Sequence, residues 1–398
     1  DEGTGIVHAA PTFGADDAKA AKQAVPEIPP LLVLDEKDQH VPLVDLNGKF
    51  RKELGSLGGK YVKNEYYEKN QIPEYSVDVE IAIKLKKENL AFKVEKHVHS
   101  YPNCWRTDKP LLYYPLNSWF IKVSDVRKRM VDLNNKINWK PESTGEGRFG
   151  NWVSNANDWN LSRSRFWGIP LPIWCSEDRS IIKVIGSVKE LINEILLSVN
   201  SGFAKENPFE GFIIDEMSDE NYKKIDLHKN VVDSIILVSD DKKTPLYREN
   251  DLIDVWFDSG SMPYAQWHYP FENKEKIDDK IAFPADYIAE GVDQTRGWFY
   301  TLHTISTIVF NNLSYKNVIS NGLVLDKKGH KMSKRLGNAV DPFDTINNFG
   351  PDATRWYMIS NSNPWDNLKF DINGIAEVQR KFFGTLYNTY SFFSLYAN

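Results

Sequence analysis

Ala285-Asp286-Tyr287-Ile288-Ala289-Glu290-Gly291-Val292-Asp293-Gln294 reads as a β-strand that ends in a polar loop. Residues 295–311 follow with an amphipathic helical pattern, and Val318-Ile319-Ser320-Asn321-Gly322 opens another strand. Strand, polar loop, helix, strand is the pattern of a parallel, doubly wound α/β sheet. Such sheets bind ligands at the carboxyl ends of their strands. Glu290, Gly291, Asp293 and Gln294 therefore fall on a ligand edge. Gly291 lets a ligand approach the backbone, and the carboxylates can take ribose hydroxyls or an ammonium group; Glu290 and Asp293 can equally complement the positive end of the following helix. Upstream, Leu252-Ile253-Asp254-Val255-Trp256-Phe257-Asp258-Ser259-Gly260 reads as an apolar strand running into a Gly-containing loop. Trp256 and Trp298 either wall an apolar pocket at this edge or belong to the core.

Downstream, Leu323-Val324-Leu325 ends in an acidic-basic-Gly turn, and Lys331-Met332-Ser333-Lys334-Arg335 follows. Lys327, Lys328, His330, Lys331, Lys334 and Arg335 crowd around Gly329 and Gly337. Several cations on a Gly-flanked loop suit a polyphosphate whose charge shifts during reaction. A solvated basic turn is the competing reading of the same letters.

The rest of the chain bounds the problem. With 398 residues, 41% of them hydrophobic, there is material for two or three packed cores. A net charge of −6 argues against a generally basic nucleic-acid coat, so contacts with nucleic acid have to come from local patches. Two cysteines, Cys104 and Cys175, imply no disulfide framework and fit a reducing compartment; neither has a second Cys at zinc-ligand spacing. No apolar run approaches membrane-spanning length and no signal peptide is visible. Asp1 and Asn398 both look like cuts through a longer protein.

Near the start, residues 6–9 read as a short strand and 14–22 as a helix start with carboxylates in its first turn. His8 and Asp17 could share a pocket; a core histidine and an N-cap aspartate are the other reading. Residues 24–95 complete an α+β domain with a helix over 76–88. A helix with Ser124 as N-cap is expected over 124–136, and Ile169-Pro170-Leu171-Pro172-Ile173-Trp174 reads as an edge strand. Leu161-Ser162-Arg163-Ser164-Arg165-Phe166-Trp167-Gly168 mixes arginines with aromatics, either as an RNA-stacking surface or as a connector with snorkelling arginines. Residues 176–250 read as an insertion, with a helix over 188–199 and a strand over 235–238. Beyond 336 the pattern is helical, ending in an aromatic-rich amphipathic helix over 379–396.

Several of these stretches together resemble the class I aminoacyl-tRNA synthetases, and within them the isoleucyl branch. Lys331-Met332-Ser333-Lys334-Arg335 is similar to the family's KMSKS loop, and Asp352-Ala353-Thr354-Arg355 to the segment after it. Glu290-Gly291-Val292-Asp293-Gln294-Thr295-Arg296-Gly297-Trp298-Phe299 and residues 254–260 resemble the isoleucyl branch specifically. Gly3-Thr4-Gly5-Ile6-Val7-His8-Ala9-Ala10-Pro11 with Asp17 resembles its amino-acid-editing domain, and residues 161–168 its return into the catalytic domain.

The resemblance implies a fold, a reaction and a set of roles. The chain would hold the C-terminal part of an editing domain (1–95), a connector (96–160), and the second half of a doubly wound nucleotide-binding domain (161–330, with 176–250 inserted). The KMSKS loop and stem-contact region would follow (331–375), then the start of an α-helical anticodon-binding domain (376–398). Lys331 and Lys334 would hold the ATP phosphates, Lys334 directly. Glu290, Gly291, Asp293 and Gln294 would bind the aminoacyl-adenylate, and Trp256 and Trp298 would line the isoleucine pocket. His8 and Asp17 would sit in the editing pocket, Asp17 on the amino group of a mischarged residue. One methylene is worth only about 1–3 kcal/mol in an apolar pocket, a limit for which isoleucine against valine is itself the standard illustration, so a second, hydrolytic site is expected. The implied partners are tRNA, L-isoleucine and ATP with Mg2+, in a cytoplasmic monomer without a membrane anchor. Arg335 replaces the loop's usual final Ser, and Thr107 stands where some relatives have a second Cys, so no zinc site is expected. The family's His-x-Gly-His motif is not in this stretch and is expected upstream of Asp1, so these 398 residues alone should activate isoleucine very poorly. A valyl or leucyl enzyme, or a non-catalytic tRNA-binding relative, are the alternatives.

Overall fold

The computed structural model describes residues 7–397, apart from the side chain of Arg335. The chain divides into two compact units, Asp1–Asn117 and Ser118–Asn398. No described helix is long and apolar enough to cross a membrane.

In the first unit, α1 (Ala15–Gln23) and α2 (Val77–Lys87) flank a two-stranded antiparallel ladder in which Val33 pairs with Val41. Ser76 caps α2, its hydroxyl accepting from the Val79 amide at 3.4 Å, and lysines 84, 86 and 87 close the last turn as the helix dipole favours. The strand expected over 6–9 is not formed where it is described: Ile6 lies outside the described residues, and 7–10 run without ladder partners, Val7 being exposed.

Early in the second unit, after the short strand Phe120–Ile121, come a 3-10 turn, Val123–Val126, and α3 (Arg127–Asn134). Ser124 is not the N-cap expected of it; its backbone N–H donates to Asp158 Oδ1 and the α-helix begins three residues later. β1 (Asn138–Lys140) follows. The segment β2 (Ile173–Cys175), β3 (Ile182–Val184), α4 (Val188–Asn200), β4 (Ile236–Val238) and β5 (Pro245–Arg248) forms an antiparallel sheet in the order β3-β2-β5-β4, with α4 packed on it. β2 is an inner strand and fully buried, not an edge. Its prolines, Pro170 and Pro172, lie ahead of the ladder and so remove no bond from it.

The decisive stretch folds as β6 (Ala285–Gly291), a 3-10 turn (Val292–Arg296), α6 (Trp298–Phe310) and β7 (Tyr315–Asn321), with α5 (Val255–Ala265) just before it. β6 pairs in parallel with β7, and β7 in parallel with β1, giving the order β6-β7-β1. Trp139 of β1, Phe149, Phe299 and Tyr315 interlock in the core beneath α6, and a side chain on Gly145 would collide with the Trp139 ring.

Two expectations fail here. Residues 252–257 are not a strand: the ladder stops after Leu252–Ile253, and Asp254 caps α5. The helix after β6 is not amphipathic, because every residue from Phe299 to Thr307 is buried. Its polar letters mislead because Thr304 and Thr307 donate to the carbonyls of Tyr300 and His303, one turn back, both at 2.8 Å.

From β7 the chain passes into β8 (Val324–Leu325), which pairs in parallel with β9 (Leu368–Lys369). α7 (Pro342–Phe349), α8 (Pro351–Ser360) and α9 (Ile372–Val378) surround this ladder over a core of Ala353, Tyr357, Leu368, Phe370 and Ile375. The expected last helix starts as a π turn, Gln379–Phe383, and continues as α10 (Gly384–Tyr396), which buries no residue and so has no apolar face covered.

Candidate functional site

The carboxyl ends of β6 and β7 lie side by side, Glu290 opposite Ser320 and Gly291 opposite Asn321. Glu290 and Asp293 are exposed there. Gly291 has an ordinary extended backbone (φ −62°), and the space over its Cα is occupied by the Asp293 carboxylate, 2.5 Å from where a Cβ would be. Gln294 serves the fold: its Oε1 accepts from the Trp298 amide at 2.9 Å, capping α6, while its Nε2 donates to Asp293 Oδ2 at 3.2 Å. Thr295, fully buried, donates to the Val292 carbonyl at 2.7 Å and accepts from Arg148 Nε at 2.8 Å. The turn that carries Asp293 and Gln294 is thus pinned from inside.

The two tryptophans are brought together. Trp256 stands in the first turn of α5, 40% exposed, and Trp298 opens α6, with its Nε1 donating to the Ser259 carbonyl at 3.0 Å. Between them lies Gly297, where a Cβ would sit 3.2 Å from the Trp256 ring and 2.6 Å from Gln294 Oε1. α5 and α6 cross at Gly260, where a Cβ would come within 2.8 Å of Ile305 Cδ1. Asp254 anchors the start of α5. It is buried and accepts from the Trp256 amide (3.3 Å), Trp159 Nε1 (2.9 Å) and Arg163 (2.8 Å). Arg148, Asp254 and Arg163 as anchors were missed from sequence; the cap letter Asp254 before an apolar run was the available signal.

The basic loop has a defined shape. Leu325 bridges to Lys331, Gly329 (φ +88°) turns the chain between them, and Lys334–Leu336 form a 3-10 turn closed by Gly337 (φ +65°). Met332 packs on the Tyr357–Ile375 core, while Lys331 and Lys334 are exposed. Asp326 organises the turn: the amides of His330 and Lys328 and the Asn338 side chain hold its carboxyl below the usual carboxylate range.

In the first unit, Asp17 is the third residue of α1, in its first turn, and not the N-cap, which is Gly14. Its Oδ2 accepts from the Ala10 amide at 2.9 Å. His8 is exposed, not a core residue, and among the described residues no hydrogen bond joins it to Asp17. Cys104 is free and half-buried, its thiol held below the usual range by the Thr107 hydroxyl and nearby amides. Cys175, free and buried in β2, is pushed up by burial.

Residues 60–371 match the family of tRNA synthetases class I (I, L, M and V). The chain belongs to this family. Over its whole length it is 62% identical to an isoleucine–tRNA ligase of Bacteroides fragilis, 59% to one of Cytophaga hutchinsonii and 43% to one of Clostridium acetobutylicum. It spans 36%, 35% and 33% of those proteins, about a third of the length of each. As a class I synthetase sequence, it offers a strand-end carboxylate turn, a tryptophan pair and a basic loop within one compact unit.

Proposed function

We propose that the protein carrying this stretch joins L-isoleucine to its tRNA through an ATP-derived aminoacyl-adenylate, releasing pyrophosphate and then AMP. The observation that carries this reading is the arrangement at Gly297, where the Trp256 ring meets the start of α6 at Trp298 beside Gln294, whose side chain in turn holds the exposed carboxylate of Asp293 in the turn after the β6 strand end. An apolar slot next to acceptors for an ammonium group suits an aliphatic amino acid, and the relatives at 59–62% identity are named isoleucine–tRNA ligases. No observation favours valine or leucine, or a non-catalytic role.

In this reading Glu290, Gly291 and Asp293 hold the adenylate, with Gln294 setting the turn. Lys331 and Lys334 face the phosphates of ATP, with Mg2+ as the accompanying cation. Fixed cations placed where charge develops accelerate such a step, each typically worth about 3–4 kcal/mol. The β6-β7-β1 sheet would belong to the second half of a doubly wound nucleotide-binding domain, expected over 161–330 but drawing β1 from ahead of that range, with 331–375 contacting the tRNA stem and 376–398 opening a helical anticodon-binding domain. Residues 1–95 would belong to an editing domain in which His8 and Asp17 act on valyl-tRNA, and 96–160 would lead from it into the nucleotide-binding domain, its later part supplying β1. The protein would work as a cytoplasmic monomer.

The test is isoleucine-dependent ATP–pyrophosphate exchange by the full-length protein. Lys334→Ala is expected to lower kcat about 100-fold or more. Exchange that valine or leucine supports with a kcat/KM equal to or above that of isoleucine, or that survives Lys334→Ala unchanged, refutes the reading. For editing, Asp17→Ala in the full-length protein is expected to let valyl-tRNA accumulate; absence of accumulation removes Asp17 from that role.

A further inference from the structure

Asn338 lies beyond the lysines of the basic loop, yet its side chain ties the loop's two ends together. Its Nδ2 donates to Asp326 Oδ2 at 3.0 Å and to the Lys331 carbonyl at 3.1 Å. Its Oδ1 accepts from the Ser333 amide at 2.9 Å. Asp326 uses its other oxygen, Oδ1, for the amides of His330 (2.8 Å) and Lys328 (2.9 Å). Two side chains twelve residues apart thus satisfy four backbone groups in a segment that forms no regular ladder beyond the Leu325–Lys331 bridge. Gly329 and Gly337, both in the left-handed region, make the two reversals cheap, and backbone bonds close each turn, Asp326 N–H to the His330 carbonyl at 2.9 Å and Gly337 N–H to the Lys334 carbonyl at 3.2 Å, without tying one turn to the other. Lys331 and Lys334 carry no ion pair of their own among the described residues. What holds their backbone in register is the Asp326–Asn338 pair below and Met332 on the core beside it.

We infer that Asn338 and Asp326 form a latch that positions Lys331 and Lys334 for adenylyl transfer, in which the amino-acid carboxylate bonds to the α-phosphorus of ATP as the bond from that phosphorus to the departing pyrophosphate breaks, and that both act as positioning residues without touching substrate. Cations held before the reaction need no reorganisation as charge moves to the pyrophosphate, which is where fixed charges are most effective. A loosened latch leaves the lysines present but mobile, so the loss falls on the transition state more than on binding of the amino acid. This inference rests on the proposed adenylate chemistry, and its test separates the two.

In the full-length protein, Asn338→Ala, Asp326→Ala and the double variant are compared in isoleucine-dependent ATP–pyrophosphate exchange, together with amide hydrogen exchange over residues 328–333. Asn338→Ala is expected to lower kcat about 10–100-fold, the scale of one or two hydrogen bonds, with the KM for isoleucine within about twofold. The double variant is expected to be no worse than the poorer single variant by more than about threefold, because both break one unit. Amide exchange over 328–333 is expected to rise at least about tenfold in each variant. An unchanged kcat, losses that multiply in the double variant, or unchanged exchange overturns the latch. Wild-type protein inactive with isoleucine overturns the adenylate reading and the catalytic role together, and the amide-exchange result then decides by itself whether the latch exists.

Discussion

His303 offers a quantitative check on how α6 is buried. It is fully inside the core, its Nε2 donates to the Met130 carbonyl of α3 at 2.8 Å, and the Phe149 ring meets it edge-on at 5.7 Å. Nδ1 has no partner. A ring with one N–H committed and the other nitrogen in an apolar wall must stay neutral to remain there, and burial lowers its pKa from 6.5 to about 4. Because the folded value lies below the unfolded one, the unfolded chain binds the proton first as pH falls. The stability that His303 contributes is therefore intact above pH 6.5 and is lost progressively between 6.5 and about 4. The slope is about 1.4 kcal/mol per pH unit, so about 2 kcal/mol is lost by pH 5 and about 3 kcal/mol across the whole window. Denaturant unfolding followed by tryptophan fluorescence suits the measurement, since Trp139 lies in the same core. The comparison is wild type against His303→Gln, which can keep a donor toward Met130 but cannot titrate. Carboxylates titrate alike in both proteins and cancel in the difference. The stability gap between the two is expected to shift in favour of the variant by about 2 kcal/mol between pH 7.5 and pH 5. A gap that stays constant with pH refutes the assignment of a neutral, deeply buried His303.

Other consequences follow from the same packing. Asp254→Ala removes the α5 cap and strands the half-buried Trp159 indole N–H, and should cost about 2 kcal/mol in chemical unfolding; the half-exposed Arg163 adds little to that figure. Gly260→Val forces α5 off α6 and should destabilise the second unit by about 1–3 kcal/mol while raising the KM for isoleucine, since Trp256 and Trp298 ride on the two helices; steady-state exchange kinetics and a melting curve read both effects. Arg148→Ala frees Thr295 and the turn it holds, and should weaken inhibition by a non-hydrolysable isoleucyl-adenylate analogue about 10-fold, measured by titrating exchange activity, with the melting temperature nearly unchanged.

The sequence made the parallel strand-helix-strand unit readable because three signals agreed there: an apolar strand, a polar loop with Gly, and a return strand of the same kind. The helices over 76–88 and 188–199 were equally plain as periodic runs, and the structure adds the capping hydroxyls Ser76 and Ser187 ahead of them. Residues 252–257 were misread for a physical reason. Ile253, Val255, Trp256 and Phe257 all favour strands, so the local propensity agreed with a strand while the cap at Asp254 and the packing on α6 decided for a helix. Ser124 shows the opposite failure, a good cap letter whose amide is claimed by Asp158 from 34 residues away. Of the candidate residues, Glu290 lies at the end of β6 and Asp293 in the turn that follows, whereas Trp256 stands in the first turn of α5, not on a strand, and Trp298 opens α6. Gln294 turned out to be occupied by capping α6. The pairs Arg148–Thr295 and Asp326–Asn338 join positions that no helix or strand period relates, so nothing in the letters could have linked them.

The carboxylate turn and the basic loop rest on different cores. Glu290 to Gln294 sit above the cluster built on Trp139, Phe299 and Tyr315, while the loop leans through Met332 on the cluster of Tyr357, Leu368 and Ile375. They are joined at Gly322, the residue that leaves β7. Its N–H donates to the Pro364 carbonyl at 2.9 Å, and a Cβ there would collide with the backbone carbonyl of Asp366. The Asn367 side chain accepts the next amide, Leu323 N–H, at 2.8 Å, and the β8–β9 ladder begins immediately. Gly322 is therefore needed for close approach of two backbones and not for an unusual φ, since its backbone is not among the left-handed glycines. That contact fixes where the second core begins relative to the strand ends. On the proposed reading the basic loop works with a ligand at the β6 and β7 strand ends, and its place relative to them is set by three features: this junction, the packing of Met332 and the Asp326–Asn338 pair.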